Sequence, residues 1–315
     1  MNITRRKFIK SAGVVAMAAP ILSSPLKAFS MNTAEAPLQV HLFSKVLHFL
    51  EVKEAGQIVA DLGFSGLDLT VRPGGHVSPE NVESDLPKAI KAIQQSGSAC
   101  ELITTAVSDV TNPLDVATIK AAAAAGVKYY RSNWFRFKEE LTMEESLDFY
   151  REKLRELAEL NKELGIVGCY QNHSGTFVGA SIWEVKKILE TANPDYFGAQ
   201  YDIRHAVAEG GNSWPNGVKL IKDRINTIVL KDFRWEKVNG KWQTMDVPVG
   251  EGMVDFTNYF KLLKSYGLNP PVSLHMEYSL GGAEKGQREI TVDKKVVFDA
   301  MKKDLNTLQQ LWKEA

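Results

Sequence analysis

The sequence predicts an α/β protein folded as a single (β/α)8 TIM barrel. Three observations carry that prediction. From residue 37 onward, short β-branched or aromatic runs alternate eight times with amphipathic helical stretches. A glycine often stands just ahead of the next run, where a left-handed helix C-cap places it. No linker-like stretch interrupts the pattern. Repeated β-α units force parallel strands joined by right-handed crossovers, and eight of them in about 280 residues match a closed barrel, whose usual size is near 250. An open doubly wound sheet is the alternative, but no G-x-G-x-x-G follows the first strand.

The elements follow in order. Strand 38–43 precedes the helical stretch 51–62, which Gly63 ends; strand 66–71 precedes 85–95, with Gly97 beyond it. Strand 99–104 precedes 114–124, whose alanines at 121–125 are strong helix formers, and Gly126 follows. Strand 127–132 leads to 143–164 and Gly165, and strand 165–171 leads to 181–192. Strands 197–202, 226–231 and 272–277 are paired with helices 216–223, 256–265 and 292–313, Gly267 closing the second of these.

The composition is that of a packed globular chain, 44% hydrophobic and 24% charged over 315 residues. Lys plus Arg equals Asp plus Glu at 38 each, but residues 1–30 hold five bases (Arg5, Arg6, Lys7, Lys10, Lys27) and no acid. The remainder has 33 bases against 38 acids, a net charge of −5. That body lacks the dense basic face that displaces counterions from nucleic acid, so nucleic acid is not the expected partner. Cys100 and Cys169, the only cysteines, are too few for a disulfide framework or a structural zinc site.

Residues 1–30 have the three-part layout of a signal peptide: a basic start, an apolar stretch from Ala12 to Leu22, and Ala28-Phe29-Ser30 as a small-x-small cleavage site. Arg5-Arg6 with Lys7, Phe8 and Lys10 resembles a twin-arginine export signal. The apolar stretch is shorter than the roughly 20 residues of a membrane span. The expectation is a 1–30 leader, a barrel over 31–315, membrane contact only during export, and a periplasmic or otherwise exported location.

A barrel gathers its chemistry at the C-terminal ends of the strands. There the sequence places Arg72 and His76 after the second strand, Thr104-Thr105 after the third and Arg131-Ser132-Asn133-Trp134 after the fourth. Gln171-Asn172-His173-Ser174-Gly175 ends the fifth, Asp202-Ile203-Arg204-His205 the sixth, Lys231-Asp232 the seventh, and His275-Met276-Glu277 the eighth. Each admits a plainer role. Asp202 suits a helix cap with His205 packed beneath it, Lys231-Asp232 a surface ion pair worth little, and Arg72-Pro73-Gly74-Gly75 a turn. Seven consecutive strands delivering ionisable or amide groups to one rim favour a shared polar pocket instead.

With these motifs the chain resembles the xylose isomerase-like barrel superfamily, in its sugar phosphate isomerase/epimerase branch. The carriers are residues 67–76 (LDLTVRPGGH), Asp85-Leu86-Pro87, 171–175, 202–205, Leu230-Lys231-Asp232, 248–252 (PVGEG) and 275–277. The resemblance implies a divalent metal, often Mn, Mg, Co or Zn, held by Glu, Asp, His and Glu on the last four strands. Gln171 stands where the first Glu is expected and Val229 where the His is expected. The implied ligand set is therefore Gln171, Asp202 and Glu277, with His205 or His173 to complete it. The resemblance further implies isomerisation or epimerisation of a sugar by proton abstraction next to a carbonyl. Glu277, Lys231 and His205 then take the catalytic parts, and Arg72, His76, Arg131, Asn172, His173 and His275 bind substrate. Export disfavours a phosphorylated sugar and points to a free sugar or keto-sugar. A non-catalytic carbohydrate-binding barrel and a keto-sugar lyase or hydratase are the competing expectations, and related barrels often form homo-oligomers.

Overall fold

The computed structural model describes residues 36–315. The leader expected over 1–30 lies outside the described residues.

Eight parallel strands close into a barrel: β1 Val40–Phe43, β2 Gly66–Val71, β3 Ala99–Thr105, β4 Tyr129–Arg131, β5 Val167–Gln171, β6 Phe197–Asp202, β7 Ile225–Leu230 and, last in the chain, β10 Val272–Leu274. Each strand pairs with its predecessor, and β1 closes the ring by pairing with both β2 and β10. The wall is built of residues that suit a sheet buried on both faces: all six positions of β2 and of β6 are buried.

Outside the strands run α1 Val52–Leu62, α2 Val82–Gln95, α3 Pro113–Ala124, α4 Met143–Leu164, α5 Ile182–Ile188, α6 Ile203–Gly210, α7 Trp214–Ile221, α8 Phe256–Ser265 and α9 Lys294–Glu314. Their ends follow local chemistry. Thr142 and Glu145 form a reciprocal capping box at the start of α4. Gly165 ends the same helix at φ 71°, a left-handed cap that a side chain would disfavour. Asp202 caps α6, accepting from the His205 N–H at 3.0 Å.

The structure departs from the sequence-based expectation in three places. Residues 232–247 form an antiparallel hairpin, β8 Asp232–Val238 with β9 Lys241–Val247, between β7 and α8. The sixth β-α connection holds two short helices, α6 and α7, where one was expected at 216–223. The last barrel strand ends at Leu274, so His275 and Glu277 lie in the loop beyond it, although the His275 N–H still reaches the Leu230 carbonyl at 3.1 Å.

Asp232 anchors the hairpin. Its carboxylate accepts the backbone N–H of Phe233, Gly250, Gly252 and Val254 at 2.8 to 3.1 Å. The chain thus returns to the barrel beside its own exit point. A Cβ on Gly252 would run into that carboxylate, which explains the second glycine of the 248–252 motif. Lys231 and Asp232 are not a surface pair: both are buried, and each turns to different partners.

Candidate active site

Lys231, the first residue after β7, is buried, and its Nζ lies 2.8 Å from Glu277 Oε2 and 3.4 Å from Asp202 Oδ2. Lys45, in a 3-10 turn just after β1, places its Nζ 2.8 Å from the other oxygen, Oε1. Glu277 is therefore clamped between two ammonium groups from opposite sides of the β1–β10–β7 seam. Burial opposes its ionisation, but Lys231 and Lys45 outweigh burial and hold its carboxyl well below the usual range. For Lys231 burial likewise works against the charge, yet Asp202 and Glu277 prevail and raise its pKa. Glu277 and Lys231 thus stabilise each other in their charged forms.

Next around the rim, the Gln171 amide donates through Nε2 to Asp202 Oδ2 at 2.8 Å and accepts on Oε1 from Arg131 Nη1 at 3.3 Å. The partners fix the amide orientation, because a carboxylate needs the N–H and a guanidinium needs the oxygen. Arg131 lies over the Trp134 ring at 4.2 Å and also donates to the Thr105 carbonyl. Asn172 brackets the backbone of Asp202, accepting its N–H at 2.8 Å and donating to its carbonyl at 2.9 Å.

Three histidines line the same rim. His205 meets Ser174 Oγ through Nδ1 at 2.8 Å, and its Nε2, 3.5 Å from Asp202 Oδ2, has no hydrogen-bond partner. The His173 ring packs 4.1 Å from His205 and 4.6 Å from Trp134. His275 stacks on Phe43 at 4.2 Å and leaves its buried Nε2 unpartnered. Burial lowers all three pKa values, and the Lys231 charge lowers them further, so the rings are neutral. Unpartnered ring nitrogens beside a clamped carboxylate are suited to substrate hydroxyls.

Beneath this layer, the fully buried Asp68 accepts from Ser273 Oγ at 2.5 Å and Thr104 Oγ1 at 2.9 Å. Arg72 lies 5.4 Å from the Phe43 ring centroid and within the fields of Asp68 and Glu277.

The family description "Xylose isomerase-like TIM barrel" matches residues 56–292. The chain belongs to the xylose isomerase-like TIM barrel family. Among curated relatives, it is 27% identical over 165 residues to an inosose dehydratase of Geobacillus thermodenitrificans (strain NG80-2), a match covering 45% of this chain and 54% of that one. The chain thus spans about half the length of that relative. Among solved structures, a D-allulose 3-epimerase from Methylomonas sp. superposes with a TM-score of 0.65 at 15% identity, covering 87% of this chain and 98% of that one. A xylose isomerase-like TIM barrel protein from Mycobacterium smegmatis, in complex with magnesium, gives 0.63 at 14% identity, covering 90% and 100%.

Within this xylose isomerase-like barrel the sequence-predicted residues divide. Gln171, Asp202, Lys231, Glu277 and His205 form one chain of contacts of 3.5 Å or less. Arg131 joins it through Gln171, Asn172 through the Asp202 backbone and His173 through His205. His275 and Arg72 share the Phe43 ring. His76 stands apart: its Nδ1 reaches Ser44 Oγ at 3.1 Å and Thr70 Oγ1 at 3.3 Å, and its ring meets His48 edge-on at 4.7 Å. Arg72-Pro73-Gly74-Gly75 turns the chain so that the His76 N–H returns to Thr70 Oγ1 at 3.0 Å. The residue that sequence reasoning missed is Lys45. The signal was present, since Ser44-Lys45 directly follows the first strand and the strand-end rule applied to the other seven strands finds it.

A divalent cation does not fit these donors. Only two carboxylates converge, and the Lys231 ammonium already lies between them. Both polar atoms of Gln171 are committed to Asp202 and Arg131, and Val229 is a buried aliphatic with nothing to coordinate. Among the described residues no three His, Cys, Asp or Glu side chains are grouped to hold an ion.

Proposed function

We propose that the protein is an exported enzyme that moves a proton at a carbon beside the carbonyl of a free sugar or keto-sugar, epimerising or isomerising it. The observation that carries this reading is the Glu277 carboxylate, kept ionised at the barrel mouth between two ammonium groups. Glu277 removes the carbon-bound proton; the C–H electron pair becomes a C=C bond, and the carbonyl oxygen takes up the negative charge of an enediolate. The N–H groups of Lys231 and Lys45 face that developing charge and stabilise it. Return of the proton to the same carbon after the enediolate has turned its other face to Glu277 gives an epimer, and return to the neighbouring carbon an isomer. His205 Nε2 is placed to relay a hydroxyl proton between substrate oxygens. Arg72, Arg131, Asn172, His173 and His275 supply hydrogen bonds to a polyol.

The low basicity of Glu277 is a cost of the clamp. Its side chain is 25% exposed and that of Lys45 19%, against 4% for Lys231. Substrate therefore enters on the Lys45 side, and transfer of that ammonium from Oε1 to the substrate oxygen restores basicity to Oε1. The D-allulose epimerase and the inosose dehydratase named above support neutral polyols as the substrate class. The dehydratase also favours a second reading, in which the same abstraction is followed by loss of a β-hydroxyl as water.

Incubation of the protein with ketoses, aldoses and keto-glycosides in heavy water, followed by proton NMR, tests the proposal. Deuterium entering at the carbon beside a carbonyl is expected, with or without net conversion. Saturable sugar binding with no exchange would instead make the barrel a carbohydrate receptor.

A further inference from the structure

We propose that the Lys231 ammonium, with Lys45 on the far side of Glu277, holds the place and performs the electrostatic task of a divalent cation, so that this barrel works without metal. The charge-stabilising half of the proposal rests on the proton-transfer reading above; the cation-site half does not. Lys231 Nζ sits between Asp202 Oδ2 and Glu277 Oε2, the position an ion bridging two carboxylates would take. The side chain is buried, so water cannot replace it, and its three N–H donors suit two carboxylate partners plus one incoming substrate oxygen.

The surrounding residues agree with a monovalent cation. Lys45, Lys231, Arg131 and Arg72 stand around Asp202 and Glu277 with Asp68 buried beneath, four basic groups against three carboxyls. A divalent ion added there would meet an existing excess of positive charge in a buried setting, where repulsion is least screened. The neutral amide of Gln171 completes the pattern. Its N–H donates to Asp202 Oδ2, the same oxygen that Lys231 approaches, and its oxygen accepts from Arg131, so neither polar atom is left for an ion. The two lysines also divide the work. Lys231 is fixed beneath the site, whereas Lys45 stands at the open side, where its ammonium can pass from Glu277 to a substrate oxygen.

The test uses the full chain in two arms. Elemental analysis of protein grown with added Mn²⁺ is expected to find Mn, Mg, Co and Zn far below stoichiometric amounts. Mn²⁺ titrated into EDTA-treated protein is expected to give no saturable heat and no change in Tm. A stoichiometric metal, or a rise in Tm on adding Mn²⁺ that Glu277→Gln removes, overturns the proposal. In the second arm deuterium exchange into sugar is followed in EDTA. Exchange that persists in EDTA and falls roughly 100-fold or more in Lys45→Met supports the ammonium role. Exchange that dies in EDTA and returns with Mn²⁺ overturns it while leaving the proton-transfer reading intact. No exchange with any sugar overturns that reading alone, and the metal titration then decides the cation site by itself.

Discussion

Lys45 and Lys231 each donate to a different oxygen of Glu277, both at 2.8 Å, so the carboxylate has no oxygen without an ammonium partner. An acid clamped this way is ionised throughout the physiological range, the form a base requires. Replacing it with an isosteric amide keeps the shape and removes the basicity. Glu277→Gln should abolish deuterium exchange while sugar binding stays within about tenfold of wild type, measured by NMR and calorimetry. Retained exchange in that variant would remove Glu277 from the base role.

Lys231 is the member of the cluster whose loss should most affect stability. Truncating it to Met leaves Asp202 and Glu277 as buried charges without their shared counterion. Breaking a buried pair in this way costs about 3–5 kcal/mol. Urea denaturation of Lys231→Met should show a loss of that order, and Lys231→Arg a smaller one. A loss near zero would mean that the pair is solvated and the carboxylates do not depend on it.

The histidines set the acid response. His48 is pushed down to about 3 and His76 to about 4, in both cases chiefly by burial, with His76 and Arg288 respectively adding to it. In the unfolded chain both titrate near 6.5. Between those values the unfolded state binds protons that the folded state refuses, so stability falls as pH falls, by at most about 1.4 kcal/mol per unit for each ring. Tm should therefore decline from about pH 6.5 downward, well before ordinary carboxylates titrate. The decline should be shallower in His48→Gln or His76→Gln. A flat Tm between pH 7 and 5 would show that these rings are hydrated or charged in the fold.

The barrel is legible in the sequence because a parallel sheet buried on both faces demands continuous apolar runs, and eight such runs separated by helical periodicity admit few other topologies. The rim is legible for the same reason: Asp202, Lys231 and Glu277 interrupt or end those runs. The hairpin is less legible. Phe233, Trp235 and Trp242 alternate with charged residues around Asn239-Gly240, whose φ angles of 51° and 79° are those of a two-residue turn. That signal competes with a β-α rhythm in which 232–255 reads as connection. Partner choice is the least legible. Nothing in the spacing says that Gln171 turns its N–H to Asp202, or that Lys45, over two hundred positions away, closes on Glu277, because such pairing depends on ring closure between β1 and β10.

The paired arginines of the expected leader make a separate prediction. Arg5→Lys with Arg6→Lys conserves charge but removes the twin-arginine pattern. Cell fractionation should find the wild-type chain shortened by about 30 residues outside the cytoplasm and the variant retained at full length inside. Equal export of both would dismiss the twin-arginine reading.

Asp232 offers a test of how the fold holds the site. Its carboxylate gathers four backbone N–H groups from Phe233, Gly250, Gly252 and Val254, and Lys231 precedes it in the chain. Removing the carboxylate strands buried donors, at about 1–3 kcal/mol for a group left unsatisfied. Arg204 independently ties α6 to the hairpin through Asp246, with Nε 3.0 Å from Oδ1, so the hairpin should loosen rather than detach. Asp232→Ala should thus lose about 2–4 kcal/mol of stability and show faster hydrogen exchange at the Gly250, Gly252 and Val254 amides. Exchange at the β1–β10 ladder should be slowed or quickened only in step with global stability. If those three amides stay protected in Asp232→Ala, the loop is held by its own packing and Lys231 owes its position to β7 alone.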